Sequence, residues 1–343
     1  MKYANYAKYL RFPVKIEYFL AALLLIALFY CPAAQAANSQ LEGAFADVVN
    51  GARPQGMGGA FIGVSDDANA PLWNPAGVGF LKKKQFTSMY ADLYTLKLLN
   101  YGMLSVIFPE GGFVNGAVSV TMLSANLDPE NWTESKFQYS VSKKLIQNLS
   151  AGINFKYLYV NTGLEDYIMS GWGFDAGLLM KEIPIPNINQ DFTLGLFVEN
   201  IYTQAQWNTP SAKKEIYPLE IKSGLSFVPK EIPEVMLAID MYMTNRVKIK
   251  KLGLGLEYWT IRNTKLIPRT IRRLGFKNLA LRAGFSSDII RVTYQNSQRV
   301  IGATSNLTLG ASLLVSVWQV DYAFVSGLKE LGDTHRFSLT MDF

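Results

Sequence analysis

The 343-residue chain carries a formal net charge of +6, with 17% charged and 13% aromatic residues. The charged share falls below the level of about a quarter usual for a soluble globular domain, and the modest charge leaves no nucleic-acid footprint. A single cysteine, Cys31, and a single histidine, His335, exclude a disulfide framework and most metal-ligand sets.

The first segment is read as a signal peptide, 1–36. Lys2, Lys8, Arg11 and Lys15 precede an apolar run from Tyr18 to Tyr30, followed by the A-x-A pattern Ala34-Gln35-Ala36. The run is shorter than the roughly 20 residues of a spanning helix. Cys31 lies inside this region and follows Tyr30, where a lipoprotein signal wants a small residue. Cleavage after Ala36 is expected to leave 307 residues without a thiol, and to lower the formal charge from +6 to about +3. The expected destination is the bacterial outer membrane.

Residues 37–84 lack alternation and hold the densest motif, Gly51 to Gly77: G-A-R-P-Q-G-M-G-G-A-F-I-G-V-S-D-D-A-N-A-P-L-W-N-P-A-G. The spacing of Gly56, Gly58 and Gly59 is not the dinucleotide fingerprint, and no G-K-[ST] is present. Asp66 and Asp67 lack EF-hand spacing. Asp66-Asp67 before Ala68-Asn69-Ala70 suggests a capped turn. Asn74-Pro75 has the residue types of an N-cap and an N1 proline. Irregular backbone at membrane depth is tolerated only inside protein or a wet cavity. The segment is therefore expected to plug a barrel, with Gly51, Arg53, Gly56, Gly58, Gly59, Asp66, Asp67, Asn74, Pro75 and Ala76 as its motif.

From Gln85 to Phe343 the pattern has period two. It predicts fourteen strands: 85–94, 98–108, 112–123, 135–144, 149–160, 171–181, 190–200, 217–229, 234–243, 251–260, 277–287, 299–314, 317–326 and 334–343. An even count and runs of about 9–11 residues fit an all-β transmembrane antiparallel barrel over 85–343. The last strand sets Phe337, Leu339, Met341 and Phe343 against Arg336, Ser338, Thr340 and Asp342. That suits an insertion strand of a barrel, and equally a half-buried strand of a soluble sheet.

Strand parity assigns faces and ends. Trp172, Phe174, Leu178, Leu281 and Phe285 are expected to face lipid. Asp175, Glu199, Lys222, Asp240, Glu257, Arg282 and Asp321 stand on the opposite face, because a charge in lipid costs several kcal/mol. They are expected to line the lumen as ion pairs or as a substrate path. Connections after even strands are expected in the periplasm. They include Ile261 to Phe276, whose Arg262, Lys265, Arg269, Arg272 and Arg273 stand without an acid. That loop either meets an acidic partner or is simply solvated. The longer connections Leu123 to Glu134, Asn161 to Ser170, Ile201 to Ile216 and Asp288 to Val300 are expected outside.

The three blocks G-A-R-P-x-G-M-G-G-A-F, D-D-A-N-A and W-N-P-A-G resemble the amino-terminal region of the PorV/PorQ group of outer-membrane proteins, relatives of the FadL fatty-acid transporter family. D-Y-A-F from Asp321 and L-G-D-T-H-R-F-S-L from Leu331 are similar to the carboxyl end of that group. The resemblance implies a 14-stranded barrel with an amino-terminal plug that includes Asn74, Pro75 and Ala76. It suggests two functions by analogy: passive passage of hydrophobic small molecules, or a secretion component that binds exported proteins. An enzyme is the third class, and the residues do not favour it: His335 has Asp333 nearby but no assignable nucleophile. No catalytic residue, cofactor or metal is expected. The partners expected are outer-membrane lipid, the outer-membrane assembly machinery, and a hydrophobic ligand or exported proteins.

Overall fold

The computed structural model describes residues 50–95, 98–109, 114–126, 130–164, 167–185, 188–209, 214–215, 217–244, 250–260, 275–295, 298–327 and 332–343. The expected signal peptide, Cys31, residues 37–49 and the basic stretch of the Ile261–Phe276 connection lie outside them.

The strands are β1 (Gln85–Leu93), β2 (Leu99–Pro109), β3 (Asn115–Asn126), β4 (Asn131–Ile146), β5 (Leu149–Asn161), β6 (Ile168–Ile185), β7 (Ile188–Trp207), β8 (Lys214–Glu215), β9 (Glu220–Phe227), β10 (Val235–Thr244), β11 (Lys251–Trp259), β12 (Phe276–Gln295), β13 (Gln298–Val315), β14 (Trp318–Val325) and β15 (Thr334–Asp342). All neighbours pair antiparallel, β15 pairs with β1, and β6 pairs with β7. The ring is closed by fourteen of them, and β8 only extends the far end of β7 through Ala205 and Gln206. Among the described residues no helix is long and apolar enough to cross a membrane. Closure gives every strand of the ring a partner on both sides along most of its length, which is what a lipid core demands.

Period-two alternation sorts the side chains. Trp172, Phe174, Leu281 and Phe285 are exposed on the outer face, and Leu178 is half-exposed. Asp175, Glu257 and Arg282 are buried on the inner face. In β15, Phe337 and Leu339 are exposed and Met341 is half-exposed, while Arg336, Ser338 and Thr340 are buried; Phe343, just beyond the strand, is exposed. The inner face is not uniformly polar, however. Met89, Leu93, Tyr101 and Met103 form one buried apolar cluster, and Val160, Met169 and Ala205 form another.

Several boundaries differ from the sequence reading. β6 and β7 run out to Ile168 and Trp207, and β12 and β13 to Gln295 and Gln298. Much of the loop expected at Ile201–Ile216, and most of that expected at Asp288–Val300, is therefore ladder. Backbone pairing continues into water, where nothing imposes an apolar stripe that a pattern search can detect. β3 begins at Asn115 rather than 112. β9 is shorter than 217–229, because Pro218 cannot donate to a ladder and Pro229 lies just past its end.

The end of the barrel where β1 starts and β15 stops is its lower mouth, and the opposite end is its upper mouth.

Candidate functional site

Residues 50–81 lie inside the ring, and Lys82 to Lys84 lead out of it to β1. The segment holds a short helix α1 (Ala52–Gly56), a second, α2 (Ala70–Trp73), and a 3-10 turn over Pro75–Phe80. Asn74 caps that turn by accepting from Ala76 N at 3.1 Å, with Pro75 next in sequence. Asp67 Oδ1 accepts from Asn69 N at 2.8 Å and holds the preceding turn. Every residue from Gly51 to Ser65 is buried.

So little regular structure leaves buried amides and carbonyls that need partners elsewhere. The wall supplies them. Ala52 N donates to Ser338 Oγ of β15 at 2.8 Å, and Gly58 N to Thr308 Oγ1 of β13 at 3.0 Å. Phe61 N and Ile62 N both donate to Asp240 Oδ2 of β10 at 2.7 Å. Tyr242 and Ser226 donate to the carbonyls of Gly59 and Gly63 at 2.8 and 2.7 Å. Gln138 and Asn154 both donate to Pro71 O, and Asn74 Nδ2 donates to Leu178 O of β6 at 3.0 Å. Asn115 of β3 reaches Val78 O at 2.8 Å. Phe61 and Trp73 meet edge to face at 5.8 Å in an apolar cluster with Met57, Ile62 and Phe197. The segment thus crosses the lumen and is tied to opposite sides of it.

Apart from Asp240, which holds the segment's amides, the predicted lumenal charges fall into two networks. In the first, Arg53 of α1 is the hub. Its guanidinium takes Glu257 of β11 in a two-pronged bond at 2.8 and 2.9 Å, and its Nη1 reaches Asp66 at 2.6 Å and Asp67 at 2.8 Å. Glu257 also accepts from Arg282 Nε at 2.7 Å. Arg282 continues to Ser312 at 2.5 Å and to Asp321 at 3.3 Å, and Ser312 donates to Asp321. Planar guanidinium forks suit such shared carboxylates. This chain of contacts binds the segment to β11, β12, β13 and β14.

The second network joins wall residues to one another and touches the segment only through Asn154, which donates to both Asp175 and Pro71 O. Lys156 of β5 pairs with Asp175 of β6 at 2.7 Å and reaches Asn200 Oδ1 of β7 at 2.6 Å. Lys222 of β9 pairs with Glu199 at 2.5 Å, and Lys250 with Glu220 at 2.7 Å. The network sits where the ladder is irregular. Three residues of β7, Glu199 to Ile201, face Asp175 alone, and Asn200 has φ 57°. On the other side of β7 the ladder to β9 stops at Glu199–Glu220 and resumes only at Ala205–Glu215 with β8. Among the described residues, the break over 200–204 is crossed by one hydrogen bond, Asn200 Nδ2 to Pro218 O at 3.0 Å. The outer surface beside it carries clustered aromatics, with Trp172 5.0 Å from Tyr202 and 5.5 Å from Phe174.

The sequence reading missed the seats of the segment. Gly152, Gly177, Gly195, Gly224, Gly255 and Gly284 all stand on the inner face of their strands. A Cβ at Gly255 would lie 2.7 Å from Met57 O, and one at Gly152 2.5 Å from Pro75 C. Gly58, at φ 65°, is wedged against the backbones of Leu254 and Phe285. The signal was present: glycine recurs at inward parity along these strands, interleaved with polar residues such as Ser150, Asn154, Asp175, Ser226 and Glu257. Lys156, Asn200 and Glu220 also went unassigned, because nothing in a sequence marks a ladder break. Gly51 is the N-cap of α1, Gly56 abuts Gly310, and Gly59 packs under Trp73. His335 is remote from both networks. It lies on the outer face, with Nδ1 2.7 Å from the Tyr322 hydroxyl. No cluster of three or more metal-ligating side chains occurs among the described residues.

A closed fourteen-strand antiparallel ring, apolar outside and largely polar inside, is the architecture of an outer-membrane barrel. More narrowly, the fold is similar to that of solved FadL-type barrels. A crystal structure of a Pseudomonas aeruginosa FadL homologue matches with a TM-score of 0.50 at 13% identity, over 84% of this chain and 97% of that one. The Pseudomonas putida toluene transporter TodX matches with a TM-score of 0.51 at 12% identity, over 84% and 96%. No sequence-family description and no curated protein matches the chain.

Proposed function

We propose that this chain is an outer-membrane barrel for passive passage of hydrophobic small molecules, which leave the lumen sideways. The observation that carries the reading is the break beside β7. The lumenal segment obstructs the axis, while the ladder between β7 and β9 lapses over 200–204 next to an aromatic patch on the outer face. A hydrophobic solute reaching the upper lumen gains by moving into lipid there, because apolar transfer out of water is favourable. The FadL-like fold supports the reading, and TodX, a toluene transporter by description, has that fold. Such a role needs no catalytic group, and we assign none. The signal peptide fits export to that membrane.

The test uses the protein in lipid vesicles with toluene as the probe. Asn200→Cys/Pro218→Cys, joined by a short bifunctional thiol reagent, closes the break. Cross-linking is expected to abolish facilitated toluene entry, and a cleavable linker restores it on reduction. Undiminished entry after complete cross-linking would overturn the sideways route.

A second reading, the secretion scaffold implied by the resemblance to the PorV/PorQ group, draws on the same tight segment. A barrel obstructed along its axis serves as a rigid platform for exported proteins. Full secretion by cells carrying the cross-linked barrel, together with lost toluene entry, would favour transport over the scaffold.

A further inference from the structure

The lower mouth carries a positive excess on one side. Lys82, Lys83 and Lys84 are exposed where the lumenal segment leaves the ring. Lys144 of β4 and Lys181 of β6 hold their ammonium groups 5.6 and 4.8 Å from the Phe80 ring centre. Both stand at inward parity, so they reach over the mouth rather than into lipid. Among the described residues acids on this side are few: Asp342 pairs with Lys83 at 3.3 Å, Glu182 is exposed, and Asp66, whose charge also acts on Lys181, is already paired with Arg53 at 2.6 Å. The β7–β10 side of the same rim has no such excess: Lys230 is on Asp191 at 3.4 Å, and Glu231 is nearby on Gln190.

We propose that this side of the lower mouth is a docking surface for a soluble acidic protein segment. Carboxylates of the partner pair with Lys82, Lys84, Lys144 and Lys181, and an apolar side chain covers the half-exposed Phe80. Clustered like charges repel one another, and an acidic partner relieves that repulsion while being steered toward it. A soluble partner fits better than lipid headgroups because Lys82 and Lys84 lie on the stretch that leads out of the lumen and Lys144 and Lys181 lean inward. The outer wall of this rim presents apolar groups instead, including Leu145, Ile146, Val317 and Trp318. The inference does not depend on the transport reading, since it concerns the outside of the mouth and not the route through the wall.

The experiment places the full chain in nanodiscs of zwitterionic phosphatidylcholine. The probe is a fluorescent peptide of alternating short glutamate runs and single leucines. At about 150 mM salt, where exposed charges beyond a Debye length are screened, the peptide is expected to bind. Lys82→Glu/Lys84→Glu/Lys144→Glu should weaken it at least tenfold, and the matching Lys→Gln variant should weaken it less. Lys214→Glu, at the upper end of the barrel, should leave binding unchanged. An unshifted gel band before heating checks that each variant is folded. Binding that survives the triple reversal, or falls equally with Lys214→Glu, overturns the proposal. So does suppression of binding when anionic phosphatidylglycerol replaces the neutral lipid, which would assign these lysines to headgroups.

Discussion

The two lumenal charge networks both set basic side chains against carboxylates, arginines in one and lysines in the other, and they join different things. The Arg53 network runs from the segment into the wall: remove its hub and a loose segment remains inside an intact ring. The Lys156–Lys222 network joins wall strand to wall strand across the β7 irregularity, where the ladder itself is missing. The lesson is that a buried ion pair is best understood from what regular hydrogen bonding fails to connect nearby. The segment has too few internal backbone bonds, and the wall has too few at 200–204. Each network stands at one of those two deficits. Buried pairs add little net stability over apolar replacements, but breaking one partner away is costly. That asymmetry makes the networks testable separately.

The largest effect is expected at Arg53. Arg53→Met leaves Glu257 without its two-pronged partner and removes the ion pairs of Asp66 and Asp67. Loss of one member of a buried set costs about 3–5 kcal/mol. Amide hydrogen exchange should rise at Phe61 and Ile62, while strand amides of β1 to β5 keep their protection. Equal loosening of the wall would merge the two networks into one.

Next is the assumption that both networks are lumenal. Leu281 and Arg282 are sequence neighbours on opposite faces, 49% and 3% exposed. Leu281→Arg puts a guanidinium on the lipid side, at a cost of about 2–4 kcal/mol near the midplane. Denaturant unfolding in lipid vesicles measures it. A neutral result would mean that this face is wet.

A smaller effect is expected at Lys156. Lys156→Met strips Asp175 of its cation, but the carboxylate keeps the Asn200 amide at 2.8 Å and the Asn154 side chain at 3.4 Å. A cost of about 2 kcal/mol is expected, typical of an under-satisfied buried group. The diagnostic is location: exchange should rise at Asn200 to Gln204 and not in residues 53–63. The reverse pattern would break the comparison.

Much of this was legible from the chain. Parity placed Asp175, Asp240, Glu257, Arg282 and Asp321 inside and Trp172 and Phe285 outside, because a two-faced strand in lipid admits one register. Asn74-Pro75 announced its capped turn by residue type alone. What stayed hidden needed three dimensions. That Arg53 meets Glu257, 204 positions away, depends on how the ring closes. The β7 bulge at Asn200 leaves no mark, since asparagine at positive φ is only a tendency. The seats at Gly255 and Gly284 were visible as glycines but unreadable as seats until the segment lay against them.

Those seats give the finest test. Gly102 in β2 and Gly255 in β11 are both strand glycines, and composition cannot tell them apart. A Cβ at Gly102 would meet nothing within 4 Å, whereas one at Gly255 would press on Met57. Gly255→Ala should therefore cost about 1–3 kcal/mol through overpacking, and should raise exchange around Met57. Gly102→Ala should be neutral or slightly stabilising, by about 0.5 kcal/mol, because alanine loses less backbone freedom on folding. Thermal unfolding of the two variants in the same detergent compares them directly. If both alanines were tolerated alike, the inward glycines would be incidental, and the segment would be held by its hydrogen bonds and by Arg53 alone. If Gly102→Ala were the costlier change, the outer face of β2 would have a neighbour that a bare wall in lipid does not provide.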